Sequence, residues 1–90
     1  MPLMKKILIV DDQAINRQIL EKLLSTEYHV LTACNGKEAL DILRKEQNGI
    51  SAILLDIVMP ILDGYSVLSE LNKDQILRNI PVIVATQKFG

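Results

Sequence analysis

A doubly wound α/β domain on a parallel sheet is the fold class this sequence predicts, on three observations. Four short runs are apolar almost throughout rather than alternating, as strands covered on both faces require. Between them lie stretches with apolar residues three or four apart, as amphipathic helices require. The two kinds alternate strictly, β-α-β-α-β-α-β, an order that closes into a parallel sheet through right-handed crossovers.

The elements follow in order. Residues 7–10, ILIV, are a β-branched-rich strand ended by Asp11-Asp12. Ile15, Ile19 and Leu23 recur every fourth residue with Leu20 and Leu24 beside them, which predicts an apolar helix face over 14–25. Residues 30–33, led in by Tyr28 and His29, read as a second strand. Asn35 with Glu38 three residues on resembles a capping box, opening a helix whose inward residues are Ala39, Leu40 and Leu43. Asn48-Gly49 offers that helix a left-handed cap. Residues 50–55 form a third apolar strand, and Val67, Leu68 and Leu71 mark a third helix after Gly64. Residues 79–81 break the pattern before a fourth strand over 82–85, which ends at Thr86.

Composition bounds the function classes. Ninety residues make one domain, 1–90, and 49% hydrophobic residues with a net charge of −1 describe a soluble globule. Ten basic residues against eleven acidic give no field suited to a nucleic-acid backbone or an anionic membrane. Cys34 is the single cysteine and cannot form an internal disulfide, which favours a reducing cytoplasm. The apolar run after Lys5-Lys6 is cut by Asp11 after four residues, too short for a signal peptide, and no run reaches the roughly 20 residues of a membrane span.

In parallel α/β sheets ligands bind beyond the carboxyl ends of the strands. Asp11 and Asp12 follow the first strand, Asp56 the third and Thr86 the fourth, so three acids converge if strands one and three are neighbours. Each residue alone has an ordinary explanation, since Asp after a strand caps helices or forms turns and Thr favours strands. Lone His29 reads as a packed or surface histidine, Cys34 as a half-buried filler, Met59 as packing, and Arg44, Lys45 and Glu46 as a solvated helix end. Together the carboxylates repel unless a cation or protons intervene. An all-oxygen donor set favours a hard cation such as Mg²⁺ over zinc. A carboxylate beside Mg²⁺, with a hydroxyl at the next strand end, suits phosphoryl acceptance: one Asp attacks and Thr86 hydrogen-bonds the product.

The segments ILIVDD, LLDIVMPILDG and PVIVAT, in this order and spacing, resemble a response-regulator receiver domain of two-component signalling over about residues 5–86. The resemblance implies a flavodoxin-like fold and a phosphorelay module that accepts phosphoryl from a histidine kinase or phosphotransfer protein. It implies Asp56 as phosphoacceptor and Thr86 as switch hydroxyl. It also implies a Mg²⁺ held by Asp12, by Asp11 largely through water, by Asp56 and by the Val58 carbonyl. Met59-Pro60 and Asp63-Gly64 correspond to loop-shaping residues.

The family pattern has five strands and five helices, whereas this chain has room for four strands and three helices. The last strand, the last helices, and a phosphoryl-contacting lysine have no counterpart, and neither Lys88 nor Phe89 matches a family position. Where the family has a small residue after the threonine, Gln87 stands. The alternative reading is therefore a receiver-like interaction or dimerisation module without productive switching. An aspartyl phosphatase would need a second Asp two residues past the nucleophile, where Gln13 or Ala14 stands, and no glycine-rich loop supports a dinucleotide fold. The bare edge at 82–85 predicts a homo-oligomer that buries it.

Overall fold

The computed structural model describes residues 4–46, 49–56 and 64–85. Four strands, β1 (Lys6–Val10), β2 (His29–Ala33), β3 (Ile50–Asp56) and β4 (Val82–Ala85), alternate with helices α1 (Ala14–Leu24), α2 (Gly36–Lys45) and α3 (Gly64–Lys73). All pairings are parallel and the order is β2-β1-β3-β4, so β1 and β3 are neighbours at the centre, as the acid cluster requires. The α/β class and element order expected from the sequence are thus borne out. Strand ends shift by a residue, and Asp56 closes β3 rather than following it.

Alternation along the strands divides the side chains between two faces. On one face Leu8, Val10, Ile53 and Leu55 pack with Leu40, Leu43 of α2 and Val67, Leu71 of α3 in a continuous buried core. On the other, Ile9 and Leu54 meet Leu20 of α1, which lies against β1 and β2. Ile7 to Val10 are all buried, so the unbroken apolar run of β1 has its expected cause.

One expectation needs correction. The apolar stripe of α1 does not face the core: Ile15, Ile19 and Leu23 are 69%, 53% and 67% exposed, and the helix has no buried residue. The reason is coverage, since α1 sits over one half of the sheet and no described element packs on its outer flank. The same lack leaves Ile83 of β4 exposed, in keeping with the bare edge expected at 82–85.

Local chemistry fixes the helix starts and stops. Asn35 accepts a hydrogen bond from the Glu38 amide at 2.8 Å, while the Glu38 carboxylate accepts from the Cys34 amide at 3.1 Å. The capping box is therefore present but reaches back one residue further than expected. Cys34, half-buried, sits 3.6 Å from the other Glu38 oxygen. Helix α2 stops at Lys45, with the Glu46 amide bonded to the Ile42 carbonyl; of the left-handed cap expected at Asn48-Gly49, Asn48 lies outside the described residues and Gly49 has no positive φ. Glu46 at this helix end is also paired, with Lys6 at 3.0 Å, while its side chain stays partly exposed. A short 3₁₀ turn, Leu77–Asn79, was not anticipated. Asp74 organises it by accepting from the Ile76 and Leu77 amides at 2.8 and 2.9 Å, which turns Leu77 into the core.

Candidate functional site

The sheet's carboxyl edge is where the acids meet. Val10 pairs with Leu55 in register, so the next residues, Asp11 and Asp56, emerge side by side from the two central strands. Asp11 continues the ladder one step further by donating its amide to the Ala33 carbonyl at 3.1 Å. Asp12 follows in the turn to α1 and is exposed, whereas Asp11 and Asp56 are buried. One carboxylate oxygen from each of the three lies within 4.8 Å of the others.

This turn spends its local hydrogen bonds on holding Asp11. An Asp11 carboxylate oxygen accepts from the Gln13 amide at 2.9 Å, and the Arg17 guanidinium donates to the Asp11 carbonyl at 2.7 Å. Gln13, at the N-cap of α1, gives the helix no side-chain cap, so the helix start is left without the usual stabilisation. Sequence reasoning missed Arg17. Its signal was positional: it falls in the first turn of α1, six residues past Asp11, where a long cation can reach back to the strand end.

The electrostatics match the geometry. Burial is the main cause that pushes the Asp11 carboxyl above its ordinary 3.8, with repulsion from Asp56 and Asp12 acting the same way and the Gln13 amide opposing. At an effective dielectric of about 20, two ionised carboxylates this close repel by about 3 kcal/mol. A cation relieves that repulsion. Mg²⁺ holds oxygens at about 2.1 Å, so ligands on opposite sides lie about 4.2 Å apart, a spacing this triad can meet by small side-chain rotations. Oxygen-only donors and an exposed flank at Asp12 suit a hard, partly hydrated cation.

Val58, Met59, Pro60, Asp63, Thr86, Gln87, Lys88 and Phe89 lie outside the described residues, so the expected carbonyl ligand and switch hydroxyl have no described position. Of the expected site residues, Asp11, Asp12 and Asp56 come together.

The model of the response regulator receiver domain family matches residues 7–89. The chain belongs to that family. This receiver domain is 49% identical over 83 residues to the probable transcriptional regulator ycf27 of Porphyra purpurea, covering 91% of the chain and 32% of that protein. It is 42% identical over 86 residues to the response regulator PleD of Caulobacter vibrioides, covering 94% of the chain and 18% of that protein. The chain therefore spans about a third or less of the length of these relatives. Among solved structures, Vibrio cholerae chemotaxis protein CheY4 superposes with a TM-score of 0.86 at 28% identity, over 98% of this chain and 72% of that one. Response regulator TrrA of Thermotoga maritima, solved in complex with Mg²⁺ and BeF, superposes at 0.83 with 35% identity, over 94% and 71%. The receiver fold is thus shown, in a form shorter than these neighbours, and the domain is a signalling module. No helix among the described residues is long and apolar enough to cross a membrane.

Proposed function

We propose that the receiver domain, residues 1–90 acting as one unit, accepts a phosphoryl group on Asp56 from the phosphohistidine of a kinase or phosphotransfer protein. The observation that carries this reading is the convergence of three carboxylate oxygens within 4.8 Å at the ends of the two central strands. An Asp56 carboxylate oxygen attacks phosphorus, the phosphorus–nitrogen bond breaks, and its electron pair leaves with the imidazole, which takes a proton. The product is an acyl phosphate on Asp56.

Asp12, Asp56 and the Val58 carbonyl would hold Mg²⁺, with Asp11 assisting through water. The ion, when bound, offsets the negative charge of the incoming phosphoryl oxygens. Arg17 and the Gln13 amide keep Asp11 in place, and Thr86 hydrogen-bonds the phosphoryl group. TrrA, crystallised with Mg²⁺ and BeF, supports this assignment by likeness, as does the phosphorylated cyanobacterial phytochrome response regulator RcpA at 31% identity and a TM-score of 0.84. The setting is cytoplasmic, and the domain touches neither nucleic acid nor membrane directly.

The experiment is intact-mass spectrometry after incubation with a small acyl-phosphate donor. The parent chain gains one phosphoryl group and Asp56→Asn gains none. Equal labelling of the two would remove Asp56 from the role.

A further inference from the structure

The three acids are supported unequally. Asp56 is a strand residue, in register with Ala85 of β4, so the sheet places it. Asp11 is buried, with its amide on the Ala33 carbonyl at 3.1 Å and its carboxylate on the Gln13 amide at 2.9 Å. Asp12 has neither support. It is exposed, and no hydrogen-bond donor reaches its carboxylate among the described residues. The neighbouring Gln13 side chain is engaged by the Asn16 amide at 3.0 Å. Its own backbone therefore sets where the Asp12 carboxylate lies, and that backbone begins with the Asp11–Asp12 peptide. The oxygen of this peptide is the Asp11 carbonyl, which Arg17 holds at 2.7 Å. A peptide unit is planar, so fixing its oxygen and the preceding residue also fixes the direction in which the Asp12 Cα leaves.

We propose that Arg17 is a positioning residue for Asp12: by clamping the Asp11–Asp12 peptide it presents the Asp12 carboxylate to the metal. This inference rests on the reading of the three acids as a Mg²⁺ site, and it names what sets the affinity of that site. The choice of partner supports it. By charge alone a guanidinium beside three acids pairs with a carboxylate, yet Arg17 makes no ion pair among the described residues. Bonding the peptide steadies the acids without competing with a cation for their oxygens. The bond is also short, as charge-assisted hydrogen bonds are, and Arg17 is half-buried, so its long side chain is held in the first turn of α1.

Removing Arg17 has two opposite consequences for a bound cation. Loss of the positive charge tightens binding, whereas loss of the clamp weakens it, and the proposal requires the second to win. Mn²⁺, another hard divalent cation, is the probe. Its binding is read from the loss of the free-ion electron paramagnetic resonance signal, with no phosphoryl donor present. Arg17→Met keeps the apolar stem and drops the donor; it is expected to raise the Mn²⁺ dissociation constant about tenfold. Arg17→Lys, which keeps a donor on a long stem, should return to within about threefold of the parent. Added to Asp12→Ala, Arg17→Met should cost nothing further, because it acts through Asp12. If Arg17→Met lacks a cooperative melt, Arg17→Gln, too short to reach the carbonyl, takes its place. Binding as tight as the parent's in the variant, or tighter, overturns the proposal. So does a tenfold loss that persists in the Asp12→Ala background, which would mean that Arg17 acts elsewhere. A parent chain that takes up no Mn²⁺ overturns the metal reading and this inference with it. Labelling of Asp56→Asn by an acyl phosphate bears on the phosphoacceptor alone, so the two readings fail separately.

Discussion

Asp11 and Asp74 are both carboxylates that accept backbone amides, yet their titrations run in opposite directions. Asp74, at the surface, gains from the Ile76 and Leu77 amides, which hold its carboxyl below the ordinary range. Its contribution to stability is present above the unfolded value of 3.8 and is lost as pH falls through the lowered folded value. Asp11 is held above its ordinary value by burial and by its acidic neighbours. The folded state therefore binds its proton more tightly than the unfolded chain, and stability falls as pH rises from 3.8 through the folded value. In thermal melts with chelator present, Asp11→Asn is expected to melt above the parent at neutral pH, because it keeps the acceptor oxygen and sheds the charge. The gap should close as pH is lowered through the folded value; a gap independent of pH would mean that Asp11's charge is not the cause. Asp11 and Asp56 were legible in the sequence because strand ends are where such sheets do chemistry. Arg17 was not, because a cation acting through a backbone carbonyl leaves no motif.

At the scale of elements, α2 and α1 are instructive opposites. In α2 pattern and packing agree: Ala39, Leu40 and Leu43 are buried and Asn35 caps the start. Asn35→Ala is expected to cost about 1 kcal/mol, and Leu43→Ala, at a fully buried site, about 2–5 kcal/mol. Chemical denaturation checks both, and a Leu43→Ala cost under about 1 kcal/mol would contradict the core assignment. In α1 the periodicity is as clean, yet the stripe faces outward. Periodicity reports that a face is apolar and says nothing of what covers it. A sequence pattern fixes the helix, whereas the neighbour belongs to topology. Within the 90-residue monomer, Ile15→Ala should change stability by under about 0.5 kcal/mol, against the larger cost at Leu43. The fourth strand differs, since both its β-branched run and its bare side were expected from the sequence, and Ile83 is exposed.

Across the whole molecule, the sheet's two ends divide the labour. The amino edge is tied by the Lys6–Glu46 ion pair, half-buried and worth no more than about 1 kcal/mol. The carboxyl edge gathers negative charge around Asp11, Asp12 and Asp56, a repulsion that a bound cation would offset. The family could be read from ILIVDD, LLDIVMPILDG and PVIVAT, whereas the residues alone placed the three acids at strand ends and left the adjacency of the first and third strands conditional. The outward turn of the α1 stripe could not, because it depends on what packs against the helix rather than on its own pattern. In the proposed function the three carboxylates form one metal-dependent phosphoryl-accepting site. Its most direct test is the rate of acyl-phosphate labelling, by intact mass, across a Mg²⁺ series in the parent and in Asp12→Ala. The parent's rate should rise to saturation with Mg²⁺ and vanish with chelator, and Asp12→Ala should need about tenfold or more Mg²⁺ to reach half its maximum. The same Mg²⁺ dependence in both chains, or labelling undiminished by chelator, would contradict it.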